Sequence, residues 1–234
     1  MTPIFIISFN RHTMLKKLID RLVELGQERI IIIDNGSTYE PLLQYYKEIE
    51  GTFEILRMGK NHGFKVFTNL CKDPQFFTRY KLDQENFIYT DCDTVPCEEC
   101  PPDFVDKWID ILRRYPDIKK VGFGLKIDDL PDSFEAKERL IRWESQFWID
   151  KIHDNETGID LYPAAIDTGF AMRRANTIPG WTNLSFRTGS PYIARHLPWY
   201  IDSNNLSEEN QNYIRTAGEF DTHFPGRYYK EHNT

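Results

Sequence analysis

Asp91 and Asp93, separated by Cys92, stand directly after the apolar run NFIYT at residues 86–90. Two carboxylates one residue apart at the end of an apolar strand can hold a hard cation such as Mg²⁺ or Mn²⁺. A cation held there can clamp a diphosphate and draw off the charge that builds on it as a leaving group. A solvated acidic turn has the same sequence, so the meaning of the triplet depends on what shares its location. Two further polar clusters follow apolar runs: Ser8-Phe9-Asn10-Arg11 after PIFII, and Asp34-Asn35-Gly36-Ser37 after RIIII. In open α/β sheets ligands bind outside the carboxyl ends of the strands. Three clusters far apart in the chain would then share one rim.

Hydrophobic spacing shows which elements must position these residues. Residues 3–8 and 29–33 read as short, wholly apolar strands of the kind buried on both sheet faces. Between them, Met14, Leu15, Leu18, Leu22 and Leu25 mark a helix over residues 11–25, stopped by Gly26. Residues 52–58, 86–90 and 120–127 read as strands; 39–49, 64–71, 102–115 and 134–149 read as helices, the third opened by Pro102. This alternation predicts an α/β fold with a mostly parallel sheet flanked by helices. Residues 162–173 lack a helical stripe and are expected to supply strands. The last sixty residues, with Pro179, Pro191, Pro198 and Pro225 among many aromatics, read as irregular loops and short helices over the sheet edge. With no internal repeat, low-complexity tract or clear linker, one domain over residues 1–234 is the expectation.

The chain carries 36 acidic against 29 basic residues, a formal charge of −7. No basic stripe marks a nucleic-acid partner. An acidic protein that handles anionic phosphates needs local compensation, and a divalent cation supplies it. The apolar runs are too short to span a bilayer, and no secretory signal precedes residue 3, so a cytosolic protein is expected, with peripheral membrane contact left open. Cys71, Cys92, Cys97 and Cys100 are expected to be free thiols, because the Cys97/Cys100 pair has no second pair to complete a zinc site. Aromatic residues after position 140 either fill the core or line a cleft for sugar faces.

The runs IISFNR, IIIDNGST, N-H-G-F with Asn69 downstream, and FIYTDCDTVP, in that order over about the first 95 residues, resemble glycosyltransferase family 2 and its relatives of the GT-A fold. The resemblance implies a GT-A (Rossmann-like) fold with an irregular C-terminal acceptor or lid region, residues 1–127 binding the nucleotide sugar and 128–234 facing the acceptor. It implies transfer of a sugar from a UDP-, GDP- or dTDP-sugar to a glycan or lipid-linked glycan, with Mn²⁺ or Mg²⁺ as cofactor, in polysaccharide building. Asp34 matches the acid that reads the nucleoside; its other reading is an Asx-turn acid that stabilises the Asn-Gly turn. Ser8, Asn10 and Arg11 match the loop around the nucleotide, and Asn61 and Gly63 match an N-x-G turn where the backbone approaches closely. Asp91 matches the acid nearer the ribose and sugar, and Asp93 the direct metal ligand. A C-terminal histidine that completes the metal shell is matched by His196. Arg195 beside it is suited to phosphates, and Trp199 or Tyr200 to stacking on a sugar.

The later half departs from the family pattern. A Gly-to-Arg strand is present at residues 169–174, but no Glu-Asp pair follows it at a convincing distance. Asp167 is the leading candidate for the base that deprotonates the acceptor hydroxyl, or for sugar binding, with Asp202 and Glu144 behind it; the alternative is an acid that ties down a loop. Two competing functions are a sugar nucleotidyltransferase, disfavoured by the absence of glycine in SFNRHT, and an idle nucleotide- or glycan-binding domain. Serine or cysteine nucleophile chemistry has no supporting motif.

Overall fold

Ile4–Ser8 forms β1 and Ile30–Asp34 forms β2, and both are buried along their whole length. Unbroken apolar sequence requires that environment. The computed structural model describes residues 1–166, 169–177 and 184–217. Its other strands are β3 (Glu54–Arg57), β4 (Phe87–Asp91), β5 (Thr94–Pro96), β6 (Lys120–Leu125), β7 (Ile152–Asp154), β8 (Ile159–Pro163), β9 (Ala171–Arg173) and β10 (Ser185–His196). The helices are α1 (His12–Glu24), α2 (Glu40–Ile49), α3 (Val66–Leu70), α4 (Pro74–Arg79), α5 (Phe104–Arg114), α6 (Lys137–Glu144) and α7 (Glu208–Ala217).

These elements make a mixed α/β fold around one sheet, ordered β3-β2-β1-β4-β9-β6-β10-β8-β7 with β5 paired to β10. Most strands point one way: β3, β2, β1 and β4 are mutually parallel, as are β6 and β10. β9 runs antiparallel between β4 and β6, and β5 and β8 run against β10. Alternation along β1 explains why helices cover both faces. Ile4 and Ile6 pack with Leu15, Leu18, Leu42 and Trp108 of α1, α2 and α5. Phe5 and Ile7 pack with Val66, Phe67 and Phe76 of α3 and α4. Each such fully buried side chain stabilises the fold by about 1.5–3 kcal/mol relative to exposure.

The carboxyl-terminal region departs from the loops its composition predicts. β10 is a twelve-residue strand inside the sheet. Gly189 and Pro191, which read as breakers, sit where its register with β6 shifts between Thr188 and Ile193. Proline is accommodated in a sheet at such a bulge, where no ladder donor is required of it. Helix α4 and the β7–β8 hairpin also carry no clear sequence signature. α4 is too short to show an apolar stripe, and it starts at Pro74 with the Asp73 side chain accepting from the Gln75 N–H at 2.9 Å.

Gly36 joins the second turn to the segment before α3. Its φ is +81°, and an added Cβ would lie 2.4 Å from the Lys60 carbonyl carbon and 2.8 Å from the Asn61 nitrogen. Gly36→Ala is expected to cost about 2–5 kcal/mol, the sum of a left-handed backbone penalty and overpacking. A urea midpoint within error of wild type would show that this approach is not tight.

Candidate functional site

The parallel register brings the three polar clusters to one rim. Ser8 pairs with Asp34, and Ile7 pairs with Asp91. Backbone bonds carry the alignment past the strand ends: the Asn35 N–H donates to Ser8 O at 2.8 Å and the Cys92 N–H to Ile7 O at 2.9 Å. Ser8 and Asp34 are buried, while Asp91 is half-buried.

Asn10, at φ +51°, ties the first loop to the second. Its Oδ1 accepts from the N–H groups of Thr38 and Tyr39 at 2.7 and 2.9 Å, just ahead of α2. Its own N–H donates to Ser37 Oγ at 3.1 Å. Asparagine tolerates the left-handed conformation better than most residues. Asp34 Oδ1 accepts from the Ser37 N–H at 3.0 Å and the Tyr46 hydroxyl at 3.4 Å; Oδ2 pairs with the half-exposed Arg57 at 3.3 Å. Burial, then the charge of Asp34, pushes the Tyr46 hydroxyl well above the ordinary tyrosine range, so it stays a donor. Asp34 therefore holds its turn in the Asx manner while standing at the rim.

Asn35, to which the motif assigns no role of its own, joins two turns. Its Nδ2 donates to Asn61 Oδ1 at 3.0 Å and Gly63 O at 3.2 Å, and its Oδ1 accepts from the His62 N–H at 2.9 Å. It thereby stitches the Asp34 turn to the Asn61-His62-Gly63 turn. Asn61 Oδ1 also accepts from the Gly63 N–H at 2.7 Å, and Gly63 adopts φ +60°. A side-chain amide between Asp34 and Gly36 was the available signal, but its partner loop is not encoded nearby.

Asp93 lies in the turn between β4 and β5, 5% exposed. Arg11 Nη1 is 3.2 Å from its Oδ2, and His196 Nε2 is 3.5 Å from its Oδ1. β10 brings His196 there by pairing it with Thr94, and the Leu197 N–H donates to Asp93 O at 2.8 Å. Trp199 backs the imidazole, ring centroids 4.7 Å apart. A carboxylate beside an imidazole, with a second carboxylate two residues earlier, is a donor set that suits Mn²⁺ or Mg²⁺. Among the described residues no group of three His, Cys, Asp or Glu side chains is placed to hold an ion alone.

Arg11 is itself 1% exposed, with Met14 Sδ 2.9 Å from Nη1 and the Tyr213 ring centroid 3.8 Å from Cζ. Burial works against its charge, but Tyr213 and Asp93 more than offset that and hold its pKa above the ordinary arginine value. Tyr213 belongs to α7, which docks along the first loop. Asn10 Nδ2 donates to Thr216 Oγ1 at 2.8 Å, and Glu209 accepts from the Thr13 N–H at 3.0 Å and hydroxyl at 2.8 Å. An anion there also complements the start of α1.

The remaining described candidates are held by other partners. Arg195 and His196 are consecutive on a strand and face opposite sides of the sheet. The Arg195 guanidinium is bound to Asp129 at 2.8 Å and Glu98 at 2.5 Å. Trp199 is buried among Leu130, Phe134 and Leu140, and the Tyr200 hydroxyl donates to Asp129 Oδ1 at 2.5 Å. Asp202 accepts from the Asn204 N–H within its own turn. Glu144 is buried against Arg187 at 2.7 Å. Asp167 lies outside the described residues. The three carbonyls before it are each gripped by a buried side chain: Ala164 O by Ser185 Oγ at 2.6 Å, Ala165 O by Arg187 Nε at 2.9 Å, and Ile166 O by Lys120 Nζ.

All four cysteines are free and buried. Burial pushes the Cys97 thiol up to about 11 and those of Cys71 and Cys100 to about 12; Cys92 is raised further by burial and then by Asp93. Protonated thiols make poor nucleophiles. The Cys97–Cys100 turn instead gives its carbonyls to Arg21, whose Nη2 lies 2.8 Å from Cys97 O and 3.0 Å from Cys100 O.

No curated protein matches the chain. Among solved structures, HddC from Yersinia pseudotuberculosis, complexed with GMP-PN, is 16% identical over 57% of this chain and 66% of its own, with a TM-score of 0.38. Glucosyl-3-phosphoglycerate synthase from Mycobacterium tuberculosis, in complex with Mn²⁺, uridine diphosphate and glucosyl-3-phosphoglycerate, is 12% identical over 74% of this chain and 56% of its own, with a TM-score of 0.37. A cytidylyltransferase from Leptospira borgpetersenii is 15% identical over 62% and 71%, with a TM-score of 0.35. The chain thus spans less than two thirds of the first two proteins' length. No described helix is long and apolar enough to cross a membrane. The stretch that carries the first two clusters, α2 and the Asn61–Gly63 turn, residues 4–67, matches the model of Glycosyl transferase family 2.

Proposed function

We propose that the protein is a glycosyltransferase that moves a sugar from a nucleoside-diphosphate sugar to a glycan or other acceptor, with a divalent cation held at Asp91 and Asp93. The observation that carries this reading is the register that sets Ser8, Asp34 and Asp91 at the ends of three adjacent parallel strands, within or beside the stretch matched by the family model. Residues 1–234 act as one domain, residues 1–127 binding the donor and 128–234 facing the acceptor.

Asp34 and Ser8 take the nucleoside, with Asn10 and Asn35 fixing the loops around it. Asp91 faces the ribose and sugar, and Asp93 with His196 presents an oxygen and a nitrogen to the cation. When bound, the cation neutralises charge on the departing diphosphate. The acceptor hydroxyl forms the new bond to the anomeric carbon as the bond to the diphosphate oxygen breaks, and its proton passes to a carboxylate, for which Asp167 is the candidate.

Incubation with UDP-, GDP- and dTDP-sugars plus Mn²⁺ tests the class. Slow, Mn²⁺-dependent release of the nucleoside diphosphate from one of them is expected. Pyrophosphate released from a nucleoside triphosphate and a sugar phosphate would make it a nucleotidyltransferase, and no turnover with either would leave a binding domain.

A further inference from the structure

We propose that Tyr213 is a positioning residue: by stacking on Arg11 it keeps that guanidinium on Asp93, so docking of α7 and binding of a cation at Asp93 oppose each other. This rests on the reading of Asp93 as a metal ligand. Arg11 lies 3.2 Å from Asp93 and 3.8 Å from the Tyr213 ring centroid, nearly inaccessible to water. A divalent ion that approaches Asp93 therefore meets a carboxylate already neutralised and a second cation beside it. In a water-poor site that repulsion is strong, and it falls only if Arg11 withdraws. The Tyr213 ring lies against the guanidinium and opposes that withdrawal.

The ring is not placed by Arg11 alone. Thr216 on Asn10 and Glu209 on Thr13 anchor α7 along the same loop, at either end of the Tyr213 contact. Phe9 meets Tyr213 as well, ring centroids 6.2 Å apart. The helix thus reads the state of Asp93 through one side chain, and linkage makes the effect reciprocal. A bound cation loosens α7, and a loosened α7 raises cation affinity. Arg11, once released, becomes available to the donor diphosphate.

Calorimetric titration of Mn²⁺ into the full chain, without donor, compares wild type with Tyr213→Leu and with Glu209→Ala. The second variant frees α7 without touching the neighbours of Arg11. Mn²⁺ affinity about tenfold higher in both is expected, with Mn²⁺ speeding amide exchange across residues 208–217 in wild type. Equal or weaker binding in both variants, or slower exchange in α7 on adding Mn²⁺, would overturn the linkage. Equal binding would do so while leaving the cation site intact, whereas no Mn²⁺ binding to any of the three proteins would remove the cation site and the linkage together.

Discussion

Asp93→Asn is expected to cut Mn²⁺-dependent release of nucleoside diphosphate by about a thousandfold or more. Removal of one preorganised group that stabilises transition-state charge costs about 10²–10³ in rate, and loss of Asp93 as the proposed metal ligand would remove more than one such interaction. The substitution also touches the fold, because Arg11 would be left nearly buried beside a neutral amide. Breaking a buried pair costs about 3–5 kcal/mol, and the amide oxygen recovers part of that as an acceptor. The two effects separate in measurement. Circular dichroism and thermal melting report the fold, while Mn²⁺ titration reports the ligand. Asp91→Asn is the companion variant, since Asp91 is half-buried and is not the carboxylate paired with Arg11. A folded Asp93→Asn protein that keeps wild-type turnover would remove the cation from this turn.

Much of this site is readable in one dimension. PIFII, RIIII and NFIYT are apolar on both faces, so they must be interior strands, and each ends in a polar cluster that must then lie at the rim. Gly26 stops α1 at φ +72°, the conformation its residue type favours. What escaped the reading depends on partners remote in the chain or on strand parity. Arg195 reads as a phosphate partner and the adjacent His196 as a metal ligand of one site, yet alternation sends the first to Asp129 and Glu98 and the second to Asp93. β10 was hidden because Gly189 and Pro191 break its pattern, although a bulge accommodates both. The hairpin strand β7 shows no alternation to find, since Ile152 and His153 are both exposed. α7 reaches the first loop through polar side chains some two hundred positions away, as in Asn10 to Thr216. No periodicity encodes such a contact.

The other large effect expected is on stability, at Arg187. Its side chain is 6% exposed, pairs with Glu144 at 2.7 Å, donates to Ala165 O, and lies 4.0 Å from the Phe147 ring centroid. Arg187→Met keeps the length and apolar stem but strands the Glu144 carboxylate, itself 7% exposed. That should cost about 3–5 kcal/mol, because an unpaired buried charge has lost both water and partner. For a chain of this size the melting temperature should fall by about 10 °C. The double variant Arg187→Met/Glu144→Leu should recover most of the loss, since replacing both charges with apolar groups removes both desolvation costs. Ala165 O would still lack the Arg187 donor in the double variant, so amide exchange near residues 164–166 should stay faster than in wild type even as the melting temperature returns. Recovery of both would mean that Ser185 and Lys120 suffice to hold the approach to Asp167. Recovery of neither would mean that the stabilisation comes from the contact with Phe147 or the bond to Ala165 O and not from the ion pair.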